Sequence, residues 1–430
     1  MRLLIISYFF PPFNNMGAVR VGKTAKYLAR RGHEIRVLTA HPQPFQPTLP
    51  LEIPHDHVVS TRWININTPA VMAAGGSVRV AAKGHEPRLR SRRMVSMLRS
   101  LYRGLYKNVV AFPDDQIGWL PFALRAASRL VQDWKPDLIL GSGPPHTSLL
   151  VAHRMSRTFH IPWVAELRDL WAESHYYELS EWRRRLDDRL EQSTLRSATG
   201  LVTVSEPLAE VLRAKYRKPT EVILNGFDPG DYPSRSNGCR SNDRLRIVYT
   251  GMLMWMDAKG GMDPAPLCEA LRRLGSLADK VRVAFYGRRL EEARALAKTK
   301  GVDHLIDIHD QVPYLDALRI QQAADILLMF LWNAPSERGV YTGKLFEYIG
   351  ARRPILAIGP HDNVAADLIR QRCAGVVLND PDRIAEQLEQ WIGHKQAGRM
   401  IPALSPDATA GLSREEQTAR LDTFLRGLLN

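Results

Sequence analysis

Short, nearly unbroken apolar runs alternate along this chain with longer stretches whose apolar residues recur every three or four positions. The first pattern is that of strands buried on both faces of a parallel sheet, the second that of helices laid against one. RLLIIS, Arg2 to Ser7, opens the series as a strand. A loop, PPFNNMG, leads into a helix from Ala18 to Arg31 with Val21, Ala25, Leu28 and Ala29 at helical spacing, and Gly32 stops it before a second strand, Glu34 to Thr39. This is a βαβ opening without the GxGxxG fingerprint of a dinucleotide site, since Gly17 is the only glycine of its loop.

The alternation resumes beyond residue 110. A helix is predicted from the acidic residues after Pro113 to about Asp133, a strand over Asp137 to Leu140, and after a Gly/Pro turn a helix starting near His146. The strand Trp163 to Glu166 runs into Arg168 and Asp169, and a polar helix, Glu181 to Arg196, follows. Gly200 to Val204, a helix capped by Ser205 and ending near Lys215, and Glu221 to Leu224 complete a first half. Asn225-Gly226-Phe227-Asp228 then opens a linker rich in Gly, Pro, Ser and Asn that reaches Asp243. The second half repeats the plan with strands at Leu245 to Thr250, Val281 to Tyr286, Leu305 to Ile308, Ile326 to Phe330 and Pro354 to Ile358. Helices fall at Pro264 to Leu274, Pro381 to Ile392 and, with an amphipathic pattern, Ser413 to Leu429.

A length of 430 residues suggests two to three domains, and two similar α/β halves suit it. Apolar residues at 45% and charged residues at 24% are those of a globular protein. The opening MRLLIISYFFPPF imitates a signal peptide, but Pro11-Pro12 and the helix that follows favour a buried first strand. No apolar run of about eighteen residues predicts a spanning helix. Three cysteines, Cys239, Cys268 and Cys373, show no metal or disulfide spacing and suit a reducing cytosol.

Charge alters the picture between residues 40 and 110, which read poorly as regular α/β structure. The net charge of +14 implies attraction to polyanions. Between Arg79 and Lys107 nine Lys or Arg stand against one acid, Glu86. Met94, Leu98, Leu101, Tyr102 and Leu105 share a side, so a basic amphipathic helix is predicted from Arg92 to Lys107. It suits an anionic membrane surface; the plain alternative is a helix docked on the first domain with a solvated basic back. Nucleic acid is disfavoured because no binding module accompanies the charge.

The richest chemistry lies in SERGVYTGKLFEYIGARRP, Ser336 to Pro354, just past an apolar strand. A glycine entering a helix leaves free amides at the positive end of the helix dipole, where a phosphate binds readily, and Lys344 adds a full charge. Glu347 lies one turn on, where a carboxylate can accept hydrogen bonds from vicinal hydroxyls such as those of a ribose. The plain alternative is an exposed i, i+3 ion pair, which is common and weak.

GKLFEYIGARRPILAIG, Gly343 to Gly359, resembles the C-terminal nucleotide-sugar site of GT-B glycosyltransferases, specifically the family 4 retaining enzymes that build bacterial surface polysaccharides. The resemblance implies an α/β fold of two Rossmann-like domains facing across a cleft, with a C-terminal helix crossing back to the first. Residues 1–226 and about 411–430 would form the acceptor domain, and 227–410 the donor domain. It implies a donor diphosphate held by Gly343 and Lys344, with Glu347 on the ribose and Thr342 and Leu345 also among the residues that bind the donor nucleotide-sugar. Gly251 and Lys259 would approach the diphosphate, Gly287 and Val312 the base, and Gly17 the donor from the other domain. Arg20 and Arg168 become candidates on the acceptor or phosphate side, each with a structural alternative: a surface charge for Arg20, a buried Arg168–Asp169 network for Arg168. The family's paired glutamate falls here on Gly339, so Glu337 is only a neighbouring candidate.

The expected chemistry transfers a sugar from a nucleoside-diphosphate sugar to a glycan or lipid-linked acceptor with retention. Lys344, Lys259 and the helix N-terminus would stabilise the leaving diphosphate electrostatically, with no cofactor or metal, since no His/Asp cluster with metal spacing is evident. His146 would orient the acceptor or the sugar, and Asp169 is a candidate for proton handling. The expected location is cytoplasmic, peripheral on the inner face of the membrane. Two rivals stand beside this reading. A sugar-nucleotide epimerase of the same fold would need catalytic carboxylates that have no evident place, and a non-catalytic polyanion- or membrane-binding scaffold would rely on Arg79 to Lys107.

Overall fold

The computed structural model describes residues 1–66, 109–173, 180–232, 244–254, 261–334 and 338–429. The basic stretch Arg79 to Lys107 and its expected helix lie outside them, as do Lys259 and Glu337. The chain divides into two units, Met1–Val222 with Leu421–Asn430, and Ile223–Arg420.

The first unit is built on a seven-stranded sheet in the order β3-β2-β1-β4-β5-β6-β7, parallel throughout. Its strands are β1 (Arg2–Ser7), β2 (Glu34–Ala40), β3 (Val58–Thr61), β4 (Leu138–Gly143), β5 (Trp163–Leu167), β6 (Gly200–Thr203) and β7 (Thr220–Val222). Helices α1 (Met16–Arg30), α2 (Leu120–Trp134), α3 (Thr147–Phe159), α4 (Glu181–Leu195) and α5 (Glu206–Tyr216) connect or cover them. Leu3, Leu4, Ile5 and Ile6 of β1, an interior strand, are fully buried, as a run apolar on both faces requires. The order reverses between β1 and β4, and in such sheets the ligand crevice opens at the carboxyl ends of the strands flanking that switch point.

Two expectations for this unit change. β3 lies within the stretch that reads poorly as α/β; it is a four-residue edge strand with only partly buried side chains, so no continuous apolar run marks it. The helix expected directly after Pro113 begins as α-helix only at Leu120, after a single 3-10 turn. Asp114 does not cap it. Instead its carboxylate accepts from the Gln116 amide at 3.0 Å and from both the amide and the hydroxyl of Thr147, at 2.8 and 2.7 Å, so it caps α3 from outside.

The second unit holds a six-stranded sheet, order β10-β9-β8-β11-β12-β13, again parallel. Its strands are β8 (Leu245–Met252), β9 (Val281–Arg288), β10 (Ile306–His309), β11 (Ile326–Phe330), β12 (Ile355–Ile358) and β13 (Gly375–Leu378). Helices α6 (Ala265–Arg273), α7 (Glu291–Thr299), α8 (Tyr314–Gln322), α9 (Gly343–Ala351), α10 (Val364–Gln371), α11 (Pro381–Gln396) and α12 (Pro406–Thr409) accompany them, and α13 (Arg414–Gly427) ends the chain. The period-2 rule divides the core: Ile247 and Tyr249 pack into the cluster on one face, Val248 into the cluster on the other with Leu345, Phe346 and Ile349 of α9.

α13 gives its residues up to Arg420 to the second unit and those from Leu421 to the first. It begins with a capping box: the Glu416 amide donates to Ser413 Oγ at 3.1 Å and the Ser413 amide to Glu416 Oε2 at 3.0 Å. In the first unit, Asp422 accepts from Arg31 Nε at 2.7 Å and lies 2.7 Å from His33 Nε2. Gly200 admits this end of the helix closely, since a Cβ there would stand 2.6 Å from Leu428 and 2.9 Å from Phe424. No helix among the described residues is long and apolar enough to cross a membrane.

Gly200→Val is therefore expected to destabilise the first unit by about 1–3 kcal/mol through overpacking and to hasten proteolytic removal of residues after Arg420. A thermal melt combined with limited proteolysis checks both.

Candidate functional site

In the first unit the switch-point residues form one buried polar chain. Arg20, on α1, is 1% exposed, which rules out the surface-charge alternative. Its Nε donates to Glu166 Oε1 at 2.8 Å, and the Ser142 hydroxyl donates to Glu166 Oε2. Burial alone would raise the Glu166 carboxyl, but Arg20 and Arg168 hold it below the usual range. Arg168 donates to Ser142 Oγ at 2.6 Å and to the Pro144 carbonyl. Its guanidinium is tied to β4 and the turn after it. Gly17 lies against this group: a Cβ there would come within 2.9 Å of Arg168 Nη2. The Gly17 amide is engaged by Asn15 Oδ1 at 2.8 Å, so the glycine's contribution is room.

His146 sits at the N-cap of α3 and is buried. Its ring stacks flat on Trp171, 4.5 Å between centroids at 2°, and its Nδ1 is buried without a partner. Burial, helped by the nearby Arg168 charge, pushes its pKa down to about 3, so it is a neutral imidazole at physiological pH. Asp169 is half-buried, and burial raises its carboxyl against the opposing pull of Arg168. Arg20, Arg168, His146 and Gly17 thus meet at the carboxyl ends of β4 and β5, while Ser142, Glu166 and Trp171 join them unforeseen. A lone charged residue, Glu166, inside an otherwise apolar buried strand was the available signal.

The second unit brings its candidates together around the first turn of α9. Thr342 is the N-cap with extended backbone, but its side chain makes no capping bond and its Oγ1 is buried without a partner. The first-turn amides of Gly343 and Lys344 have no acceptor one turn back in the helix, whereas that of Leu345 donates to the Thr342 carbonyl at 3.2 Å. Leu345 is fully buried and points into the core, so only its backbone faces the helix mouth. Half-buried Lys344 donates to the Tyr249 hydroxyl at 2.7 Å, with its ammonium 4.1 Å from that ring's centroid. Burial pushes its pKa down to about 7, against the upward pull of Glu347. Glu347 Oε2 accepts from Gln321 Nε2 at 3.0 Å, and burial raises its carboxyl.

Two glycines clear the approach to Lys344. Gly251 has φ +117, which L side chains rarely adopt, and a Cβ there would lie 3.2 Å from Lys344 Nζ. Gly287 pairs with it in register, and a Cβ at 287 would fall 1.8 Å from the Gly251 carbonyl oxygen, an impossible distance. Val312, in the turn before α8, is half-buried. Gly251, Gly287, Lys344 and Glu347 are therefore one constellation, to which Tyr249, Thr250 and Gln321 are additions.

Residues 17–226 match the family model of the Glycosyl transferase 4-like domain. No curated protein sequence matches the chain. Among solved structures, sucrose-phosphate synthase from Thermosynechococcus elongatus is similar at TM-score 0.63 and 15% identity, covering 100% of this chain and 99% of that one. Anabaena HepE in complex with UDP is similar at TM-score 0.62 and 14% identity, covering 99% and 100%. WaaG, a glycosyltransferase involved in lipopolysaccharide biosynthesis, is similar at TM-score 0.53 and 16% identity, covering 99% and 98%. At these identities the likeness establishes the fold, two Rossmann-like α/β domains of the GT-B type.

A lysine whose folded pKa is depressed below its unfolded value binds fewer protons folded than unfolded, so stability rises with pH from about 7 toward 10.5. Lys344→Met, which removes that charge, is expected to raise the thermal midpoint at pH 7 by the few degrees that about 1–2 kcal/mol produces. It should also flatten the rise. Melts of both proteins between pH 6 and 9 check this.

Proposed function

We propose that this chain, a GT-B glycosyltransferase whose residues 17–226 are a glycosyl transferase 4-like domain, moves a sugar from a nucleoside-diphosphate sugar to a glycan or lipid-linked acceptor in surface polysaccharide synthesis, retaining the anomeric configuration. The observation that carries the donor assignment is the uncapped mouth of α9, with Lys344 in its first turn and Glu347 one turn on. A phosphate needs the free amides and the ammonium; a ribose needs the carboxylate. The UDP held by Anabaena HepE supports a nucleotide donor in a fold of this type.

During transfer the anomeric C–O bond breaks and the departing diphosphate gains negative charge. Lys344 and the α9 amides are already oriented toward that charge, and their preorganisation lowers the barrier without a divalent ion. Thr342, Gly343 and the Leu345 backbone complete the diphosphate cradle; Lys259 would add a second cation, and Gly287 and Val312 would border the base. His146, neutral and fixed against Trp171, accepts or donates a hydrogen bond to a sugar hydroxyl without carrying charge. Asp169 takes the acceptor proton in this scheme. Arg20 supports Glu166 and through it Ser142 and Arg168. An anionic membrane face near a lipid-linked acceptor is motivated by the basic residues from Arg79 to Lys107.

A thermal-shift titration with UDP, GDP, ADP and TDP, on wild type and Glu347→Ala, tests the donor site. One nucleotide is expected to stabilise the wild type by about 2.7 kcal/mol at a hundredfold excess over its dissociation constant, and Glu347→Ala to lose most of that gain. Equal shifts in both proteins, or none, contradict the assignment. With the matching sugar nucleotide, acceptor-free conversion to an epimeric sugar nucleotide would identify an epimerase instead. Binding that falls steeply with salt but survives loss of Lys344 and Glu347 would identify a scaffold.

A further inference from the structure

Gln321, the penultimate residue of α8, is fully buried, yet its side-chain carbonyl oxygen has no partner. Its Nε2 donates in two directions, to Glu347 Oε2 at 3.0 Å and to Thr250 Oγ1 at 2.9 Å. Thr250 is itself fixed at the end of β8, because its amide donates to the Tyr348 hydroxyl at 3.0 Å. The backbone of Glu347 is tied as well: its carbonyl accepts from the Tyr232 hydroxyl at 2.8 Å. The glutamate is thus held at its main chain and at one carboxylate oxygen. Its other oxygen, Oε1, has no partner among the described residues and is not sealed from solvent.

The carboxamide can face Glu347 only with its nitrogen, since an oxygen there would oppose a carboxylate oxygen. That orientation leaves the Gln321 carbonyl buried and unsatisfied, which is unfavourable by about 1–3 kcal/mol. A methionine of similar length would fill the space without that penalty. The amide therefore serves the carboxylate beside it rather than the packing around it.

We infer that Gln321 is a positioning residue that fixes Glu347 with Oε1 presented to a ribose hydroxyl, and so sets the preference for ribose over deoxyribose in the bound nucleotide. The inference rests on the donor site proposed above. Without Gln321 the carboxylate rotates away or protonates, and the hydroxyl loses a fixed charged acceptor. The diphosphate contacts of Lys344 and the α9 amides are untouched, so the loss falls on the sugar alone.

The experiment is a calorimetric titration of the full chain with UDP, GDP and ADP and with the 2′,3′-dideoxy form of each, on wild type, Gln321→Met and Gln321→Asn. Gln321→Met removes the donor at nearly constant volume; Gln321→Asn keeps an amide too short to reach Glu347, so either variant alone suffices. Wild type is expected to favour the ribose form of its preferred nucleotide, and the variants to narrow that ratio about tenfold, as loss of one hydrogen bond to a charged group predicts. Affinity for the dideoxy form should stay within about twofold. Equal weakening of both forms, or an unchanged ratio, overturns the positioning role while leaving the donor site standing. Absence of binding by every ribonucleotide to wild type overturns the donor site and this inference together.

Discussion

A half-buried ammonium at the mouth of one nine-residue helix is the constraint on which the second unit turns. Held among Tyr249, Gly251 and the first turn of α9, Lys344 has too little water and too little counter-charge to keep its ordinary pKa. Its neighbours follow from that position. Gly251 and Gly287 are glycines because any side chain would occupy the space of Lys344 or of the adjoining backbone. Glu347 stands far enough along the helix to be held by Gln321 rather than to neutralise the lysine. An arrangement that leaves a cation under-compensated in a folded protein is unfavourable for stability and favourable for binding an anion.

The first unit solves a different problem. Its switch-point charges, Arg20, Glu166 and Arg168, are compensated internally through Ser142 and the Pro144 carbonyl. Breaking such a buried network by removing one member leaves an unpaired charge, which is far more damaging than removing the whole. The network gives a rigid, polar floor beside His146, whose ring is fixed by Trp171 and kept neutral by burial. One unit thus offers charge to a ligand, while the other offers geometry.

Much of the architecture was legible because parallel strands buried on both faces announce themselves as apolar runs: Arg2–Ser7 and Ile326–Phe330 have the predicted limits, and several others differ by one to three residues. β3 was not, since a short edge strand with half-exposed side chains carries no such run. α2 began later than its acidic residues suggested because Asp114 caps a helix thirty-three residues away, a contact no local pattern encodes. The Lys344–Glu347 spacing could be read from one helix, whereas Gln321, Tyr249 and Thr250 reach it from other elements and became visible only when the sheet order was known. Arg20 shows the same limit. Its sequence position suggested a ligand or a surface charge, and its partner, Glu166, lies on a strand far along the chain.

We propose that Lys344 is an under-compensated cation whose charge a bound diphosphate completes. Proton uptake tests it most directly. Isothermal titration of the preferred nucleoside diphosphate at pH 8, in two buffers of different ionisation enthalpy, reports the protons taken up on binding. With a free pKa near 7, the lysine is mostly neutral at pH 8 and must gain a proton to pair with the diphosphate, so the account predicts uptake of about one proton. That uptake should vanish in Lys344→Arg, whose guanidinium stays charged. Binding with no proton uptake in the wild type would contradict the account, because it would mean either that Lys344 is already charged or that the diphosphate does not meet it.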